Sequence, residues 1–108
     1  MPARTSLLAL AILTMAACAT TPVTRDAWIN YTCTDGRNLQ ARYPNTNTAV
    51  VKLQDETHTL HVALSGSGAR YTGEGLQWWT RGMHEGMLAP LASGESIASA
   101  PGTVCHAK

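Results

Sequence analysis

From residue 28 onward, apolar and polar residues alternate with a period of two, the signature of half-buried strands. Along 28–33, Ile29, Tyr31 and Cys33 share one face; along 38–43, Leu39, Ala41 and Tyr43 do so. Along 48–54 the set is Ala49, Val51 and Leu53, and along 57–64 it is His58, Leu60, Val62 and Leu64. Residues 69–72 and 76–81 continue the pattern, while 88–92 and 97–105 carry it weakly, broken by Gly94 and Pro101-Gly102. Turn chemistry separates the runs: Asp35-Gly36, Pro44-Asn45-Thr46-Asn47, Asp55-Glu56, Ser65-Gly66-Ser67-Gly68, Gly73-Glu74-Gly75 and Gly82. About eight short strands in one small domain predict an all-β antiparallel barrel or sandwich.

Composition narrows the class. The chain has 108 residues, enough for one domain, with 44% hydrophobic and 14% charged residues. A disordered chain would show the reverse balance. Eight Lys and Arg face seven Asp and Glu, a net charge of +1, without the basic excess that nucleic-acid binding requires.

Residues 1–17 read as a targeting segment. Arg4 precedes an apolar run from Leu7 to Leu13, too short for a membrane-spanning helix but of signal-peptide length. Met15-Ala16-Ala17-Cys18 resembles a bacterial lipobox, in which the cysteine is diacylated and becomes the first residue after cleavage. The alternative is an ordinary signal peptide with a cysteine nearby. Two or more acyl chains anchor a protein stably where one does not. Ala19, rather than Asp, directs such a lipoprotein to the outer membrane, facing the periplasm. Residues 18–26 then form the lipidated Cys18 and a polar tether, and residues 27–108 the folded domain. Arg4 is the one charged residue before Cys18, so the remaining chain balances seven bases against seven acids. Long-range steering of a partner should be weak.

Three cysteines are an odd number for an exported protein. Assigning Cys18 to lipid leaves Cys33 and Cys105, near the two ends of the domain, as a disulfide pair. The alternative, two unpaired buried thiols, is disfavoured in an oxidising compartment.

Candidate chemistry is sparse. His58 and His61 point to opposite faces of one strand, and His84 and His106 stand in turn or terminal positions, so no metal site is expected. Gly66-Ser67-Gly68 is shorter than a nucleophile elbow and no helix follows it. Tyr71 occupies the third-glycine place of a phosphate-binding loop, and no cofactor is expected. Trp78-Trp79 is more informative, because neighbours on a strand face opposite ways. Leu76 and Trp78 fit the core. Trp79 then lies beside Arg81, either exposed as a binding residue or covered by a loop.

Ser67-Gly68-Ala69-Arg70-Tyr71 followed by Trp78-Trp79-Thr80-Arg81-Gly82 resembles the signature of the periplasmic and membrane-bound inhibitors of c-type lysozyme, the MliC/PliC family. Tyr31-Thr32-Cys33 with Asp35-Gly36, Tyr43-Pro44-Asn45, Ala49-Val50-Val51 and Cys105 fit the same frame, so the resemblance covers most of the domain. It implies an eight-stranded antiparallel β-barrel with the disulfide Cys33–Cys105. It also implies a c-type lysozyme as protein partner, met by a loop serine and a lysine that reach the two catalytic carboxyls. Those roles fall on Ser67 and Arg81, with Gly68, Tyr71 and Trp79 completing the binding set. Arg81 replaces the family's lysine, and Met83-His84 lengthens the next turn. Arg70 and Tyr71 are expected to hold the loop from beneath, Tyr71 by packing and Arg70 by hydrogen bonds to backbone.

The expected function is therefore inhibition rather than catalysis. Two alternatives stay open: an envelope lipoprotein of this fold with another cell-wall or envelope partner, and a small hydrolase, which needs a His–carboxylate pair near Ser67. The inhibitor reading requires the tips carrying Ser67 and Arg81 to be neighbours.

Overall fold

The computed structural model describes residues 27–108, and every regular element among them is a strand. The elements are β1 (Ile29–Cys33), β2 (Asn38–Asn45), β3 (Thr48–Leu53), β4 (Glu56–Ala63), β5 (Ala69–Gly73), β6 (Leu76–Arg81), β7 (Glu85–Pro90) and β8 (Thr103–Ala107). Each pairs antiparallel with its sequence neighbour, and β8 returns to β1, closing a barrel with no free edge. The signal segment, Cys18 and the tether lie outside the described residues.

The closing seam is covalent. Cys33 stands opposite Cys105 in the β1–β8 ladder, and the two form a disulfide across 72 positions of chain. Restricting the unfolded chain over a loop of that length stabilises the fold by about 4 kcal/mol.

The inward faces follow the alternation. Tyr31, Leu39, Ala41, Ala49, Val51, Leu60, Tyr71, Trp78 and Leu88 form one buried cluster with the disulfide. Trp78 fills its centre, fully buried, with Tyr31 edge-on at 5.1 Å between ring centroids. Its indole N–H donates to the Tyr43 hydroxyl at 2.9 Å, so the large ring leaves no buried donor unpaired. The ring lies across Gly86, where an added Cβ would stand 2.3 Å from its carbons.

Four expectations change. Pro44 and Asn45 belong to β2 rather than to a turn, with a register shift between Arg42 and Asn45. The seventh strand begins at Glu85, not at residue 88, because Gly86 is a strand residue whose missing side chain makes room for Trp78. Residues 97–102 are not a strand; β8 starts at Thr103 and runs on to Ala107, taking His106 into the ladder opposite Glu85. Val62 and Leu64 share the inward phase of β4 in sequence, yet they are exposed, because the barrel wall ends there.

Strand direction sorts the connections into two ends. The loops 46–47, 64–68 and 82–84, the start of β1 and the end of β8 lie at one end. The turns at 34–37, 54–55 and 74–75 lie at the other. The long connector 91–102 leaves that far end and folds back along the outer wall.

Candidate functional site at one end of the barrel

The β5–β6 pairing brings the two signature segments together. Ala69 stands opposite Thr80 and Gly73 opposite Leu76, so the loop before β5 meets the turn after β6. Ser67 and Arg81 thus occupy adjacent tips at the same end of the barrel, as the inhibitor reading requires.

The Ser67 loop is fixed by its own short bonds. The Trp79 indole N–H donates to the Ser67 carbonyl at 2.8 Å. The Thr80 hydroxyl donates to the Ala69 carbonyl at 3.3 Å, and the Ser65 hydroxyl to the Gly68 carbonyl at 3.2 Å. Gly68 has φ of +64°, and a Cβ there would lie 2.1 Å from the Thr80 carbonyl oxygen. Only glycine allows the loop to lie this close to β6. Trp79 is half-buried, so neither sequence alternative describes it alone: its N–H is committed to holding the loop that carries Ser67.

Arg70 is buried on the outer wall. Its Nε and Nη2 donate to the Leu64 carbonyl at 3.0 and 2.7 Å, and its Nη1 to the Ser96 carbonyl at 2.8 Å. The guanidinium also lies 5.8 Å from the Trp79 ring centroid. Gln77, likewise buried, accepts from Ala98 N–H at 3.1 Å through Oε1. The connector 91–102 therefore covers Arg70 and Gln77, and Arg70 links it to the start of the Ser67 loop. The connector is closed on itself by Glu95, which accepts from the Ser99 hydroxyl at 2.5 Å and from Ala92 N–H at 3.1 Å. These bonds hold the Glu95 carboxyl below its ordinary pKa, the Ser99 hydroxyl contributing most.

Tyr71 lies beneath the loop rather than on it. It is buried on the inward face, 5.8 Å from Tyr43 between ring centroids. Burial, and then the neighbouring Tyr43, push its phenol above the ordinary value; burial raises Tyr43 further still. Sequence reasoning thus anticipated the positions of Arg70 and Tyr71, but not Ser96 or the connector, which carry no recognisable motif.

The two tips present free polar groups. Ser67 and Arg81 are exposed, and among the described residues neither side chain makes a hydrogen bond or an ion pair. Glu85 stands opposite Arg81 in the ladder and is the one acidic side chain at this end among the described residues. Asp35, Asp55, Glu56 and Glu74 stand at the far end and Glu95 in the connector. Among the described residues no base engages the Ser67 hydroxyl, which a hydrolytic serine would need. His58 is half-buried with its Nε2 3.5 Å from Glu56, and His61 is exposed on the opposite face. Among the described residues no three His, Cys, Asp or Glu side chains converge as metal ligands.

A disulfide-closed, up-and-down barrel with two adjacent loops at one end, one of them pinned by Trp79 and Arg70, is a small binding module. The family model for MliC, the membrane-bound lysozyme-inhibitor of c-type lysozyme, matches residues 31–95, and the chain belongs to that family. A membrane-bound lysozyme inhibitor of C-type lysozyme from Cupriavidus necator is 36% identical over 83 residues, covering 74% of this chain. The chain spans 65% of that relative's length. The crystal structure of Pseudomonas aeruginosa MliC in complex with hen egg white lysozyme is similar with a TM-score of 0.55 at 27% identity, covering 76% of this chain and 81% of that one.

Proposed function

We propose that this protein inhibits a c-type lysozyme by seating the Ser67 and Arg81 tips in the enzyme's active-site cleft. A glycosidase of this kind needs one carboxyl protonated as general acid and the other ionised. A cation between them favours ionisation of both, which disables the acid. Arg81 would donate two parallel hydrogen bonds to one carboxylate, where a lysine supplies a point charge. Ser67 adds a hydroxyl that donates or accepts. The barrel behind the tips excludes substrate by its bulk.

The observation that carries this reading is the pairing of two exposed polar side chains, free of internal partners among the described residues, on adjacent tips, with the Ser67 loop held by Trp79, Thr80 and Arg70. Preorganised loops lose little entropy on binding. The lysozyme complex of the Pseudomonas aeruginosa relative supports the choice of partner. Purified protein should block lysis of a bacterial cell-wall suspension by c-type lysozyme. Undiminished lysis at saturating protein would reject the reading and favour another envelope partner.

The setting belongs to the same proposal: lipid on Cys18 holds the barrel at the outer membrane, facing the periplasm, where it protects peptidoglycan. Cys18→Ala should move the protein from the membrane to the soluble periplasmic fraction. A variant that still sediments with membranes would count against the anchor.

A further inference from the structure

The end that carries Ser67 and Arg81 also carries most of the exposed large apolar side chains among the described residues. Trp28, Val62, Leu64 and Met83 lie there, and Ile97 lies on the connector. The far end offers none and is lined by carboxylates. Leu64 and Met83 stand out, at 92% and 77% exposed.

The fold asks nothing of either side chain. Leu64 serves the barrel through its carbonyl, which Arg70 holds; its side chain is in water. Met83 stands in the β6–β7 turn after Gly82, with its side chain equally in water. Leu64 opens the loop that presents Ser67, and Met83 follows Arg81 by two residues. Each polar group of the site is thus accompanied by one freely exposed apolar side chain on the same tip.

We infer that Leu64 and Met83 are contact residues for the lysozyme, an apolar collar that seals the Ser67 and Arg81 contacts from water. This rests on the inhibitor reading. Charge pairs and hydrogen bonds strengthen when solvent is excluded, and binding hot spots are characteristically ringed by groups that exclude it. The collar supplies that exclusion where the chain's own charge supplies little steering, since the bases and acids after Cys18 balance. Its occupant is the same protein that meets Ser67 and Arg81, because the collar residues share their loops.

The test replaces apolar by neutral polar groups of similar size, Leu64→Asn and Met83→Gln, with Ile97→Gln on the outer wall as control. Dissociation constants for a c-type lysozyme are measured by calorimetry, and binding to anionic phospholipid vesicles by co-sedimentation. Leu64→Asn and Met83→Gln should each weaken lysozyme binding by about tenfold, as loss of a buried apolar contact implies. Ile97→Gln should change it by less than about twofold, and all three should melt like the parent, since the residues are exposed. Parental affinity in both collar variants, with Ser67→Ala and Arg81→Ala impaired, would overturn the collar and leave the inhibitor reading intact. Loss of vesicle binding with lysozyme affinity unchanged would also overturn it and assign the surface to the membrane. A parent protein that fails to bind lysozyme would remove both.

Discussion

Trp78 and Trp79 are adjacent on β6 and do opposite things. Trp78 faces inward, fully buried, with its ring over Gly86 and its N–H on Tyr43. Trp79 faces outward, half-buried, with its N–H on the Ser67 carbonyl. The contrast extends to β5, where Tyr71 packs inward and Arg70 bonds the outer wall to the connector. The inward side holds the barrel by shape and burial. The outward side holds the loop by directional bonds to backbone carbonyls. One hairpin therefore separates stability from presentation of the site, and substitutions on its two faces should separate in the same way.

The largest effect is expected inside. Trp78→Ala should cost about 3–5 kcal/mol of stability, as deletion of a large buried ring does. Urea denaturation will check it through a lower midpoint, and the fraction still folded should retain its lysozyme affinity. On the outer face, Arg70→Met should cost about 2 kcal/mol, because the Leu64 and Ser96 carbonyls lose a charged donor. Hydrogen exchange should accelerate at 64–68 and 96–98 while the inward strands stay protected, and inhibition should fall. Trp79→Phe keeps an aromatic ring but removes the donor to Ser67. It should cost only about 1 kcal/mol yet weaken inhibition more than its stability loss explains. A loss of stability as large as that of Trp78→Ala would erase the distinction between the faces.

The smallest effect is a pH dependence on the alkaline side, which comes from the inward face. Burial raises the phenol pKa values of Tyr43 and Tyr71 above the ordinary 10.0, so folding favours their neutral forms. Their contribution is fully present below about pH 10 and is lost as the pH rises through the higher folded values. Denaturation midpoints should hold steady up to about pH 9 and then fall. Tyr71→Phe should make that fall shallower.

The sequence revealed the inward face better than the outward one. Alternation located β1 to β6 closely, because Leu39, Ala41, Val51, Leu60 and Trp78 carry a signal of period two. It failed at β7, where Gly86 looks like a break until the Trp78 ring is seen above it. It failed along the connector, where the bonds run from backbone groups of Ser96 and Ala98 that have no side-chain signature. Alternation already put Arg81 beside Trp79 on the outer face, whereas the role of Ser67 was legible only through the resemblance of its motif. The exposure of Leu64 was not, since its phase along β4 places it with the core residues and only the end of the barrel wall exposes it.

The central claim is that Ser67 and Arg81 act together on a lysozyme's catalytic groups from a scaffold that does not depend on them. The inhibition constant against a c-type lysozyme, measured for the parent, Ser67→Ala and Arg81→Ala alongside their melting temperatures, tests it most directly. Each substitution should weaken inhibition by about tenfold or more while the melting temperature stays within a degree or two of the parent. Unaltered inhibition in both variants would contradict the account.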